Sequence, residues 1–226
     1  MGAGPLPTSP VLVKSLPQTS RALAGEEDRL TPSEPPPRLV LASSSPQRRA
    51  ILERLGVAFA VRATDVPELS EGDPPVLARE NALRKARAAQ IPGANEAVLG
   101  CDTLVALDGA IYGKPADERA ARGMLLALAG ATHEVLSGLA LLEPDGGERV
   151  AIARTAVTFR TIDAALLDWY IATGEWRERA GGYAIQGAGA VLIRAVQGDY
   201  ENVVGLPVAT LLDICPGLLR TWRGAA

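Results

Sequence analysis

The sequence predicts a mixed α/β or α+β domain in which helices cover a central sheet, and three observations point there. Short apolar runs bounded by turn residues alternate with segments of helical spacing. Apolar residues make up 47% of the 226-residue chain and charged residues 22%, which is ordinary for one substantial globular domain. Aromatic residues are only 4%, so the core has to be built from Leu, Val, Ile and Ala.

Residues 1–37 stand apart, with eight of the seventeen prolines and little apolar periodicity. They read as a disordered, Pro-rich extension or as translation from an upstream start, which leaves 38–226 as the folded domain. Leu39–Ala42 is a short apolar strand. Ser43-Ser44-Ser45-Pro46 then opens a helical pattern that runs to Leu55 and stops at Gly56. Phe59 to Arg62 reads as a second strand, and Pro74 to Gln90 as a helix ending before Pro92-Gly93. Ala97–Gly100 and Leu104–Leu107 read as strands on either side of Asp102, with Asp108-Gly109 as a hairpin turn. A helix over Asp117–Leu128 closes at Gly130. Two long strands, Glu134–Leu142 and Arg149–Phe159, are joined by Pro144-Asp145-Gly146-Gly147. A helix near Ala164–Thr173, a Gly-rich stretch, a strand near Val191–Val196 and a last helix from Pro207 complete the chain.

Composition also removes function classes. The formal net charge is −3, without the concentrated basic face that a nucleic-acid or anionic-membrane binder needs. Two cysteines make no disulfide scaffold, and one histidine rules out a four-ligand Cys/His zinc site. No apolar run approaches the ~18 residues of a membrane span, and no secretion signal is recognisable, so a cytoplasmic protein is expected.

Four segments could carry chemistry. In Ser43-Ser44-Ser45-Pro46-Gln47-Arg48-Arg49, Ser45 suits an N-cap and Pro46 the first helical position. The arginines then fall at the positive end of the helix dipole, a conflict that a bound phosphate would resolve; a solvated cap with surface arginines is the alternative. Asp102-Thr103 directly follows an apolar strand, where a metal ligand, a general base or a plain turn are all admissible. Gly113-Lys114-Pro115 offers a fixed loop with a cation that could clamp phosphate or simply face water. The chain uses Arg almost everywhere and keeps Lys at positions 14, 85 and 114 alone, by design or by codon bias. Around Gln186, the run Ala180–Ala190 leaves room for a flat ligand, and the amide supplies the donor and acceptor that a base edge requires. Neither a dinucleotide-binding nor a P-loop glycine pattern is present. His133, within Ala-Thr-His-Glu-Val, reads as structural.

Taken in order, these segments resemble the Maf family of nucleoside triphosphate pyrophosphatases. The resemblance covers residues 38–215 and rests on Leu41–Arg48, Ala82–Ala86, Gly100–Thr103, Gly113-Lys114-Pro115 and Gly130–Val135. It continues through Gly174-Glu175-Trp176, Ala180–Gly187, Gly198-Asp199-Tyr200 and Val204–Pro207. It implies an elongated mixed sheet with two lobes and a central cleft (Maf/ITPase-like). It also implies hydrolysis of a nucleoside triphosphate to monophosphate and pyrophosphate with Mg²⁺, Mn²⁺ or Co²⁺, and a possible homodimer. Carried over by position, Asp102 would be the acid–base residue, Glu68 with Asp102 the metal ligands, and Lys85 and Lys114 the other catalytic cations. Ser43, Ser45, Arg48, Gln47, Thr103 and Gln186 would contact the substrate. The family's dTTP/UTP subgroup usually has Arg, Thr and Gln where this chain has Gln47, Thr103 and Gln186, so dTTP and UTP are the expected substrates, with Gln47 a departure. Pro67 is another, because an acidic residue is common there. Modified or non-standard nucleotides, or a non-catalytic nucleotide-binding regulator of cell division, are the alternatives.

Overall fold

In a computed structural model of the chain, residues 35–224 are described. The expected extension therefore lies almost wholly outside the described residues. Its last residues are tied to the domain: the Pro35 carbonyl accepts from Asn95 Nδ2 at 3.1 Å, and that of Pro37 accepts from Trp222 Nε1.

One mixed sheet organises the domain. Its strands are β1 (Arg38–Ala42), β2 (Ala60–Val61), β3 (Glu96–Leu107), β4 (Ala110–Tyr112), β5 (Thr132–Leu142), β6 (Glu148–Phe159) and β7 (Ile193–Gln197). They lie in the order β2-β1-β3-β5-β6-β7, with β4 paired to β3. β1 is parallel to β2 and β3, and every other pairing is antiparallel. The helices are α1 (Pro46–Arg54), α2 (Pro74–Ala89), α3 (Glu118–Leu128), α4 (Ala164–Thr173), α5 (Tyr200–Val204), α6 (Val208–Ile214) and α7 (Leu218–Thr221).

Several boundaries differ from the sequence reading. The two apolar runs flanking Asp102 are one twelve-residue strand, because β5 pairs with β3 straight through Asp102↔Gly138 and Thr103↔Ser137. Asp102 is thus inside a strand rather than just beyond its end. The strand expected at Phe59–Arg62 shrinks to Ala60–Val61, and Val191–Leu192 belong to a 3₁₀ turn before β7. The single helix expected from Pro207 is two short ones, α6 and α7, with Pro207 as the N-cap of α6, and α5 precedes them where no helix was expected. The Asp108-Gly109 turn is as expected, both residues taking positive φ (51° and 79°) in a two-residue hairpin loop.

Side-chain alternation along β3 and β5 explains where the lobes part. On one face, Leu99, Cys101, Leu139 and Leu141 enter a cluster with Ile51, Leu52, Leu211 and Leu218. Farther along that face, Val105 and Val135 enter a second cluster with Leu125, Leu128, Tyr170 and Trp176. Between the clusters the same face carries Thr103 opposite Ser137, whose hydroxyls lie 2.8 Å apart. A polar belt therefore divides two apolar lobes. The other face is covered by α2, whose Ala78, Ala82 and Ala86 are fully buried. Its backbone comes so near that a Cβ at Gly100 would lie 2.1 Å from the Ala82 carbonyl, and one at Gly138 would lie 2.0 Å from that of Ala78.

His133 is a core residue. It is 1% exposed, its Nε2 lies 2.9 Å from the Tyr183 hydroxyl, and Phe159 and Tyr183 meet its ring edge-on. Burial lowers its pKa from 6.5 to about 4. Between those values the unfolded chain binds a proton that the folded chain refuses, so this contribution is whole above pH 6.5 and is lost as pH falls toward 4. At 1.36 kcal/mol per unit, the loss by pH 4.5 is at most about 2–3 kcal/mol. Urea melts at pH 7.5 and 4.5 should show that drop in the parent and a correspondingly smaller one in His133→Phe. Equal pH dependence in both would mean that the imidazole does not stay neutral in the fold.

Candidate active site

The cleft opens where an edge of β3 is left unpaired. β1 pairs with β3 only as far as Ala42↔Gly100, and β4 begins at Val105↔Tyr112. Residues 101–104 have no neighbour strand on that side among the described residues, and both flanking strands run toward the gap. The serine loop after β1 and the Gly113–Lys114 loop after β4 are delivered there together, as ligand loops are where strands diverge in an open sheet. The resulting cleft has a volume of about 960 Å³ and reaches from Ser43–Arg48 past Asp102 to Gln186.

Its floor is a charge cluster built by α2. Asn81 and Lys85 are one turn apart and share a helix face, which turns to β3. Asp102, 3% exposed, receives the Lys85 ammonium at 2.5 Å on Oδ1 and the Asn81 amide Nδ2 at 3.0 Å on Oδ2. The same ammonium reaches Glu68 Oε1 at 2.5 Å. Burial pushes the Glu68 carboxyl up, but the hydrogen bond and charge of Lys85, with Lys114 and Arg48 beyond, outweigh it and hold the group below the usual glutamate range.

The serine loop forms the adjoining wall. Ser45 is the N-cap of α1 by backbone conformation, yet its hydroxyl donates to Gln47 Oε1 at 3.2 Å instead of accepting from the helix. The first-turn N–H groups are thus left without a side-chain cap, the condition that favours an anion. The two arginines separate. Arg49 turns outward to Glu53, whereas Arg48 is buried and donates to the Gly205 carbonyl at 2.9 Å, Ser43 Oγ at 3.0 Å and Thr103 Oγ1 at 3.1 Å. Arg48 therefore ties α1, β3 and the turn after α5 together at the polar belt.

The remaining candidates sit toward the mouth. Lys114 is 56% exposed and lies 3.6 Å from the open carboxylate of Glu178, apart from the Lys85 cluster. Gln186 is exposed in the cleft lining and makes no hydrogen bond within the chain among the described residues. Its loop is fastened by Glu175, whose two oxygens accept from the N–H groups of Ala188 (2.9 Å) and Gly189 (3.1 Å). A Cβ at Gly187 would lie 2.3 Å from that carboxylate, so a larger residue there would push Glu175 off the loop it fastens.

Sequence reasoning missed Asn81, Ser137 and the anchoring role of Glu175. A signal existed for Asn81, a polar residue four positions before Lys85 in an alanine-rich helix. For Ser137 none did, since only strand register sets it opposite Thr103.

Among the described residues, no three His, Cys, Asp or Glu side chains stand together as a metal cage. Glu68 and Asp102 are nevertheless gathered on one cation, and two carboxylates completed by phosphate oxygens and water are a donor set that Mg²⁺-type ions accept. The residues fit such an ion provided that substrate supplies the rest.

Residues 38–217 match the Maf-like protein family. The chain belongs to that family. This Maf-like chain is 45% identical over 180 residues to the dTTP/UTP pyrophosphatase of Moorella thermoacetica, covering 78% of this chain and 93% of that one. It is 43% identical over 187 residues to the dTTP/UTP pyrophosphatase of Deinococcus radiodurans, covering 82% and 95%. Among solved structures it matches a nucleoside-triphosphatase / dITP/XTP pyrophosphatase from Mycobacterium abscessus at 25% identity, over 56% of this chain and 76% of that one, with a TM-score of 0.38.

Proposed function

We propose that this Maf-like chain hydrolyses nucleoside triphosphates to the monophosphate and pyrophosphate, that dTTP and UTP are its substrates, and that it works in the cytoplasm. The observation that carries the chemistry is Asp102: a buried carboxylate with both oxygens held in place, beside an ammonium, at the floor of a cleft walled by anion-binding groups. The pyrimidine assignment draws on the named activity of the Moorella and Deinococcus relatives and on Thr103 and Gln186.

The substrate brings roughly four negative charges, so neutralising them is the first requirement of attack on the α-phosphorus. Lys85 can release one carboxylate to meet a phosphate oxygen without leaving the cluster, because it holds two. Lys114 at the mouth takes the outer phosphates, and the serine hydroxyls with the α1 N–H groups take the inner ones. Arg48 adds charge while fixing the wall. Asp102 accepts the proton of the attacking water. Glu68 and Asp102 would hold the divalent cation, Mg²⁺, Mn²⁺ or Co²⁺, and that ion would supply further neutralisation of the phosphates. Gln186 and Gln47 face the base, and Gln186, unpaired among the described residues, is free to bond its edge.

A pyrophosphate-release assay with a panel of common and modified triphosphates tests this reading. dTTP and UTP should show kcat/KM at least about tenfold above the purine triphosphates, a ratio that hydrogen-bonding recognition readily supplies. Faster turnover of modified or deaminated purines would move the substrate assignment. No turnover with any of the three metals would leave a nucleotide sensor.

A further inference from the structure

We infer that Asn81 is a positioning residue that fixes both carboxylates of the site at once, an inference that rests on the hydrolytic reading above. Asn81 is 1% exposed, and its amide is fully engaged. Oδ1 accepts from the Leu69 N–H at 2.8 Å, while Nδ2 donates to the Leu69 carbonyl at 3.0 Å and to Asp102 Oδ2 at 3.0 Å. The Leu69 N–H decides the orientation of the amide, because only an oxygen can face it. Both Nδ2 hydrogens are then spent, one on the loop and one on Asp102.

The loop is the reason this matters. Residues 62–73 run without regular structure between β2 and α2, and Glu68 lies within them. Among the described residues, the hydrogen bonds that fasten 63–72 to the rest of the domain are those of Leu69 to Asn81 and of Glu68 to Lys85. When Lys85 turns to substrate, the Asn81 clasp is what keeps Glu68 in register with Asp102. One helical side chain thus sets the separation of the two acids, directly for Asp102 and through the neighbouring peptide for Glu68. Asparagine suits this task where aspartate does not. A carboxylate would accept from Leu69 N–H equally well, but it would face the Leu69 carbonyl and Asp102 with no donor.

Asn81→Asp and Asn81→Leu, two substitutions of similar size, separate positioning from packing. In Asn81→Asp the Leu69 N–H keeps an acceptor while Asp102 faces a like charge. kcat for pyrophosphate release should fall about 100-fold with KM within about threefold of the parent, as misplacement of a reacting group does. In Asn81→Leu the clasp is gone, and hydrogen exchange at the Leu69 amide should accelerate at least about tenfold in protein without substrate. A kcat for Asn81→Asp within threefold of the parent, or unchanged Leu69 exchange in Asn81→Leu, overturns the inference. If the parent itself releases no pyrophosphate from any triphosphate, the hydrolytic reading has failed instead, and the exchange measurement still reports whether the clasp exists.

Discussion

Asp102→Asn is expected to lower kcat for pyrophosphate release by about 10³-fold or more while the protein remains folded. General-base assistance alone contributes about 10²–10⁴-fold, and here the same carboxylate also orients Lys85 and would supply a metal ligand. The amide is nearly the same size, so the cleft is not reshaped. It cannot accept on both arms, however: Lys85 Nζ and Asn81 Nδ2 both donate to Asp102, and one of them would meet an NH₂ group. Lys85 retains Glu68, which spares the variant an unpaired, partly buried ammonium. Its loss of stability should therefore stay within about 1–3 kcal/mol, the range for an unsatisfied buried donor. Single-turnover assays on dTTP, with circular dichroism melts of the same preparation, decide the matter. A folded variant that turns over within tenfold of the parent would remove Asp102 from the base role.

The parts of this site that were legible in the sequence are those whose chemistry is local. A serine run ahead of Pro46 announces a helix start, and Asp108-Gly109 announces a hairpin. Continuity of β3 was not legible, because Asp102-Thr103 interrupts the apolar alternation just as a strand end does, and only pairing with β5 carries the ladder through. The split between the adjacent arginines was hidden for a similar reason. Helical geometry sends Arg48 and Arg49 in different directions, but that Arg48 faces the interior depends on Gly205, which lies 157 residues away. Lys114 and Lys85 looked equivalent as cations, whereas one proved half-exposed at the mouth and the other largely covered and held between two acids. The Gly-rich block showed room for a ligand but not the Glu175 carboxylate that fastens it.

Gly138→Ala is expected to cost about 3 kcal/mol or more in stability, at the upper end for overpacking a core. Gly138 is the residue opposite Asp102 on β5, and its missing side chain is where the backbone of α2 rests. An added Cβ would lie 2.0 Å from the Ala78 carbonyl oxygen and 2.7 Å from the Arg79 nitrogen, both main-chain atoms of a helix packed on β3 and β5. No rotamer relieves such a contact; the helix has to lift by about 1 Å or the strands have to bow. For a domain of this size the cost corresponds to roughly 6–12 °C in Tm. Activity should suffer beyond the stability loss, because α2 carries Asn81 and Lys85, and a 1 Å displacement of positioned groups costs about 100-fold. Gly123→Ala is the contrasting case. Gly123 lies within α3, and nothing stands within 4 Å of the place its Cβ would take, so alanine there should raise stability by about 0.5–1 kcal/mol. Calorimetry and steady-state kinetics on the two variants would separate a general intolerance of substitution from the specific contact. Parent-like melting and turnover in Gly138→Ala would show that the site does not depend on the close seating of α2 against the sheet.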